Sequence, residues 1–280
     1  MATAITTAPK QRQYAINMLA AHWPEYLGEA AGLGLFMVSA CLFTVWFEYP
    51  GSPLHQAMPN AVLRRVLTGV AMGATLIGLI YSPWGKRSGA HLNPAFTLAF
   101  LSLGKIAPVD AMFYVMAQFM GGLTGVLLTR ALTGAALAHP SVSYAATTPG
   151  PAGVAAAFWA ELAISMCQMT IVLASSNSKR FARFTPWFAA IMLAAYISIE
   201  APLSGMSMNP ARTLASAVPA SIYTALWIYF AAPLLGMWTA GVLYSFRRGP
   251  HRVFCAKLHH HNSQRCIFRC NYPAMQQEND

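Results

Sequence analysis

Six long apolar runs decide what this chain can become. They lie at residues 26–47, 61–81, 111–132, 153–174, 185–199 and 223–245. About 20 residues of helix cross the roughly 30 Å hydrocarbon core of a bilayer. Inside that core no water satisfies backbone amides, so a run of this kind folds as a helix, whose hydrogen bonds are all internal. Composition agrees, because 56% of the 280 residues are hydrophobic, only 9% are charged, and the mean hydropathy is +0.45. Such a chain has too few charges to cover a surface of ordinary soluble composition. Gly, Ala, Ser or Thr interrupt every run, which lets neighbouring helices approach closely. The expected fold class is an all-α integral membrane bundle of six transmembrane helices.

The segment before the first run, residues 1–22, lacks the compact apolar stretch and small-residue cleavage site of a secretory signal, so it reads as an arm on a retained first span. A Pro/Thr/Gly-rich connection over 133–152 divides the chain into two similar halves, 23–132 and 153–246, and 247–280 forms a basic tail. Charge sets the orientation. With the N-terminus inside the cell, that side receives Lys10, Arg12, Lys86, Arg87, Lys105, Lys179, Arg180, Arg183, Arg247 and Arg248. The other side receives mainly Arg64, Arg65 and Arg130. The positive-inside rule therefore predicts both termini in the cytoplasm and 133–152 outside. The net charge of +10 is then a topology signal, and no nucleic-acid partner is expected.

One phrase is written twice: "SGAHLNPAFTLA" from Ser88 and "SGMSMNPARTLA" from Ser204. The first copy follows the second span and the second follows the fifth. Three crossings separate them, so the copies enter from opposite faces. Each is too short to span, since about nine residues, Pro94 to Ser102 or Pro210 to Val218, make roughly 13 Å of helix. Asn93 and Asn209 are good N-cap residues, and Pro94 and Pro210 suit a first helical position that needs no N–H. Two re-entrant half-helices starting near the bilayer midplane are the consequence. Non-helical backbone at that depth is tolerated where protein buries it or water bathes it. The carbonyls of Gly89, Ala90, His91 and Leu92, and of Gly205, Ser207 and Met208, are thus expected to face a water-filled path.

Paired Asn-Pro-Ala motifs (Asn93, Pro94, Ala95; Asn209, Pro210, Ala211) in two inverted halves resemble the major intrinsic protein family, the aquaporins and glycerol facilitators. The resemblance covers roughly Trp23 to Phe246. It implies an aquaporin-like bundle with an inverted repeat, assembled as a homotetramer in the cell (inner or plasma) membrane. The implied function is a passive channel for water, with ammonia, hydrogen peroxide or a short polyol as the alternative solutes. Opposed half-helix N-termini carry roughly half a positive charge each and repel cations, while the Asn93 and Asn209 amides donate to passing water. By resemblance Arg212 belongs to a selectivity filter with Ile197, Met206 and a second-span member that is Met72 or Gly73; Phe96 holds the place of Arg212 in the first copy. Ile197 stands where water-selective relatives carry His. Thr213 stands where glycerol facilitators carry Asp, and Tyr229 and Phe230 supply an aromatic pair those facilitators lack. Glu25 and Glu161 match the acidic residue that supports the re-entrant loop in each half. Glu200 either touches Arg212 or sits at the outer interface. His91 reads as a structural residue.

The tail is the least expected part. It is expected to be a flexible basic extension near anionic lipid, or else a zinc-type site formed by Cys255, His259, Cys266 and Cys270. Cys41 and Cys167 read as core residues. With carboxylates scattered and no phosphate-binding Gly loop, an enzyme reading has no comparable support, and neither an enzyme nor a cofactor is expected. A membrane sensor acting through the tail is the reading from a different class.

Overall fold

The computed structural model describes residues 8–277; residues 1–7 of the expected arm and 278–280 of the expected tail lie outside the described residues. In chain order the principal helices are α1 (Ala8–Glu48), α2 (Ala61–Tyr81), α3 (Pro94–Ser102), α4 (Pro108–Thr133), α5 (Gly153–Ser176), α6 (Thr185–Ile199), α7 (Pro210–Ala220) and α8 (Ile228–Arg248). Six are long and apolar enough to cross a bilayer. The remaining two, α3 and α7, are the re-entrant half-helices.

The two halves repeat one plan. In each, the first helix packs along the last, α1 on α4 and α5 on α8, while α2 against α6 joins the halves. The half-helices are exchanged, since α3 lies against α8 and α7 against α4. Glycine sets the closeness of these crossings. A Cβ on Gly121 of α4 would stand 2.0 Å from the Ala30 carbonyl oxygen, and one on Gly236 of α8 would stand 2.5 Å from that of Leu162. Only a bare Cα permits backbones to approach so closely. All seven tryptophans lie on the exposed exterior, where their amphipathic rings suit the lipid boundary.

Several boundaries differ from the sequence expectation. Residues 8–22 continue α1 as helix instead of forming a separate arm, and Pro24 lies inside it. The sixth span begins at Ile228 and not near 223, because Pro219 and the left-handed Ser221 (φ 55°) end α7 and the chain must then turn back. The half-helix α7 itself runs two residues further than expected, to Ala220. The connection over 133–152 is also more than a tether. Leu137 is buried within it, and Gly150 donates its N–H to the Leu203 carbonyl at 2.8 Å, tying it to the second re-entrant loop.

Replacing Gly121 by Val should therefore cost about 1–3 kcal/mol or more through overpacking. Gly78 of α2 has open space around it, and Gly78→Ala should be neutral or stabilising by up to about 1 kcal/mol through helix propensity. Thermal denaturation of the detergent-purified variants, followed by size-exclusion chromatography, checks the contrast.

Candidate functional site

The half-helices depend on strained loops that precede them. Gly89 (φ 92°), Ala90 (56°) and Leu92 (50°) are left-handed in the first loop, and Gly205 (79°), Met206 (53°) and Met208 (54°) repeat the pattern in the second. For residues with a Cβ this conformation costs roughly 1–2 kcal/mol each. Such backbone also lacks internal partners for its amides, so those must come from elsewhere.

One buried carboxylate in each half supplies them. Glu161 of α5 accepts from Ser207 N–H and Met208 N–H, both at 2.7 Å, and from Ser204 Oγ at 2.7 Å. In the first half this position is filled by Glu29, which accepts from His91 N–H at 3.0 Å, Leu92 N–H at 2.6 Å and Ser88 Oγ at 2.8 Å. Glu25 is thus not the loop-supporting acid. It lies one helical turn earlier, and its carboxylate accepts from Arg87 Nε at 3.0 Å and Arg265 Nη2 at 2.6 Å. The remaining loop groups also match in pairs. Ser88 and Ser204 hydroxyls accept from Ala90 and Met206 N–H, and the Tyr114 and Tyr229 hydroxyls donate to the Ser88 and Ser204 carbonyls. Tyr229 is therefore a loop anchor, while Phe230 stacks on Phe119 with ring centroids 6.2 Å apart.

The two loops are clasped at the centre. Asn93 Oδ1 caps α3 through Ala95 N–H, and its Nδ2 donates to the Met208 carbonyl at 2.7 Å. Asn209 Oδ1 caps α7 through Ala211 and Arg212 N–H, and its Nδ2 donates to the Leu92 carbonyl at 2.7 Å. Each NH₂ has two hydrogens, so one remains for another acceptor. A cavity of about 70 Å³ beside this clasp is bordered by Ala90, His91, Leu92 and Asn93 of one loop, Ser207, Met208 and Asn209 of the other, and by Phe96. Roughly 10–15 Å³ suffices to hold one water.

A wider vestibule of about 410 Å³ lies on the side of Arg212 and is bordered by Met72, Ile197, Gly205, Met206 and Ser207. Of the two second-span residues, Met72 is the one that borders this vestibule. Gly73 faces away, against the backbone of α6, where an added Cβ would stand 2.9 Å from the Ala190 carbonyl oxygen. Arg212 Nη1 is buried without a protein hydrogen-bond partner. Glu200 is buried and forms no ion pair with Arg212 among the described residues; neither carboxylate oxygen has a hydrogen-bond partner. Thr213 bonds to Thr147 and Ser207 hydroxyls, and its first-half counterpart Thr97 bonds to His91 Nδ1 and Gln118. Phe36 and Leu193 border both cavities and were not singled out by the sequence; they lie on α1 and α6 without motif or charge.

The tail is not a flexible extension. Residues 253–259 are buried, and Phe254 N–H donates to Asn177 Oδ1 at 2.7 Å. Leu258 N–H donates to the Gly89 carbonyl at 3.1 Å, and the Ala256 carbonyl lies 2.9 Å from His91 Nε2. The Gly89 carbonyl therefore serves the tail, and the Leu258 side chain borders the central cavity. His91 is sandwiched between Phe100 and Phe268, a structural placement. Cys255, Cys266 and Cys270 come together with His260; His259 points instead toward Tyr81. Hydrogen bonds from the Cys255 and Cys266 thiols hold the Cys270 thiol well below its usual range.

Removing the Glu161 carboxylate leaves two buried N–H donors orphaned, at about 1–3 kcal/mol each. Glu161→Ala and Glu29→Ala should each abolish or severely lower thermal stability in detergent. Glu25 is itself buried, but its partners Arg87 and Arg265 are partly exposed and can turn to solvent, so Glu25→Ala should cost less than either.

Comparison with known proteins agrees with this geometry. The family model described as major intrinsic protein matches residues 18–244. Aquaporin NIP2-3 of Zea mays is 34% identical over 217 residues, covering 77% of this chain and 69% of that protein. Aquaporin-2 of Bos taurus is 31% identical over 213 residues, covering 74% and 75%. Among solved structures, the aquaglyceroporin from Plasmodium falciparum superimposes with a TM-score of 0.67 over 82% of this chain and 98% of its own, at 19% identity, a likeness of fold. With a family match across most of its length and the six-span, two-half-helix fold, the chain belongs to the major intrinsic protein family, membrane channels for water or small solutes and not enzymes.

Proposed function

We propose that the chain is a passive channel that conducts water down an osmotic gradient and excludes ions and protons. The observation that carries this reading is the central clasp, where two half-helix N-termini meet and each asparagine amide keeps one hydrogen free beside the cavity. A passing water oxygen accepts from these amides while the loop carbonyls accept from its hydrogens, which offsets part of its lost hydration. Cations meet two positive dipole ends and the unpaired Arg212 donor, with no compensating carboxylate bonded to it. Both termini belong on the cytoplasmic side by the excess of Lys and Arg there, in the cell membrane, and the chain acts as a homotetramer with one path per subunit.

A second reading rests on the filter. Met72, Ile197 and Met206 give it an apolar wall opposite Arg212, and the vestibule above it is wide. An apolar wall accommodates a small neutral solute such as ammonia, hydrogen peroxide or a short polyol beside water.

Stopped-flow light scattering on proteoliposomes tests both. Water flux well above that of empty vesicles, with little glycerol or urea uptake, is the expected result; solute uptake without a gain in water flux contradicts the first reading and supports the second. Arg212→Ala should leave water flux within about threefold while raising cation leak at least about tenfold, the equivalent of 1.36 kcal/mol of lost barrier. A voltage- or pH-sensitive dye in the same vesicles reads that leak.

A further inference from the structure

Among the described residues, the tail cluster is a set of metal-ligating side chains that the path does not use. Cys255 Sγ lies 3.5 Å from Cys266 Sγ, and Cys270 Sγ lies 3.0 Å from His260 Nε2. All four ligand atoms fall within 4.8 Å of one another. Four-coordinate zinc with three thiolates and one imidazole has edges of about 3.8 Å between sulfurs and about 3.5 Å from sulfur to nitrogen, so the Cys255–Cys266 and Cys270–His260 pairs stand within about 0.5 Å of such edges and the cluster needs only a small contraction to close around an ion. The donors are soft, with no carboxylate among them, which disfavours calcium and magnesium. Their surroundings fix them too: Tyr272 N–H donates to Cys270 Sγ at 3.5 Å, and the Tyr272 ring stacks on His260 at 4.2 Å.

The position of this cluster gives it a consequence. Cys255 immediately precedes the residues that bond to the first re-entrant loop, Ala256 at His91 and Leu258 at Gly89. We propose that Cys255, His260, Cys266 and Cys270 bind one Zn²⁺, and that this ion holds the Cys255–Leu258 segment in the mouth of the path, so that zinc occupancy restricts permeation. Metal binding supplies the ordering free energy that an irregular segment cannot obtain from regular hydrogen bonding. Without the ion, the segment keeps its burial, the Arg265 bonds to Glu25 and its bonds to Gly89, His91 and Asn177, but loses the cross-link at Cys255 and leaves the mouth more readily. The restriction rests on the channel reading above; the zinc site does not.

The test uses the full-length protein, purified in detergent under reducing conditions, exposed to Zn²⁺ and desalted. Metal analysis should find about one zinc per chain. Cys266→Ser/Cys270→Ser should retain only background zinc while keeping its size-exclusion profile, and His260→Ala, should the double variant not fold, should lose its zinc to a competing chelator that the parent resists. In proteoliposomes, stripping the zinc should raise water flux at least about threefold, and readdition should reverse it, while the cysteine variant stays fast under both conditions. Zinc at background level in the parent, or a Cys255–Cys266 disulfide under the same reducing handling, overturns the site. One tightly held zinc with identical flux before and after stripping overturns the restriction. No flux in either state contradicts the channel reading and the restriction with it, while the metal analysis still decides the site.

Discussion

Two carboxylates buried inside a membrane protein carry this architecture. Glu29 and Glu161 sit where charge is costly, and they are retained because each one satisfies a pair of backbone amides that nothing else reaches. Those amides belong to residues bent into left-handed backbone, and the bend is what stops each half-helix short of a full crossing. From that follow the Asn–Pro start at mid-depth, the reciprocal bonds from Asn93 to Met208 and from Asn209 to Leu92, and the cavity beside them. The chain thus keeps irregular backbone inside a bilayer by pairing loop amides with a carboxylate of the same repeat and one carbonyl of each loop with the asparagine of the opposite one.

The repeat is close in its scaffold and unequal in its path. Ser88 and Ser204, Tyr114 and Tyr229, and Thr97 and Thr213 take matching positions in the two loops. Departures fall where the loops meet the path or the tail. Arg212 has Phe96 as its counterpart, so positive charge lies on one side of the clasp only. His91 corresponds to Ser207, and its ring reaches the tail, which covers only that end. Scaffold symmetry with path asymmetry lets one folding plan serve two different mouths.

Much of this was legible in the sequence, for physical reasons that also mark where legibility stopped. Span positions follow from run length, and the half-helices follow from Asn-Pro starting a segment too short to cross. The acid that holds the first loop is Glu29 and not the Glu25 that the motif points to, since the two lie one turn apart on the same helix face and only three-dimensional register separates them. Met72 and Gly73 were similarly unresolved until the packing of α2 on α6 put the glycine at the contact. The tail had no apolar periodicity to read, and its order comes from distant partners, Glu25, Gly89 and His91. His260 and not its neighbour His259 joins the cysteines because adjacent side chains in irregular backbone point in different directions.

The proposed channel requires that water pass the asparagine clasp between the two cavities. The temperature dependence of osmotic water flux in proteoliposomes tests it most directly, since water passing along loop carbonyls and amides exchanges one set of hydrogen bonds for another. Water moving along such groups should show an Arrhenius slope close to that of water diffusing in bulk. A slope as steep as that of empty lipid vesicles, with no excess flux, would contradict it.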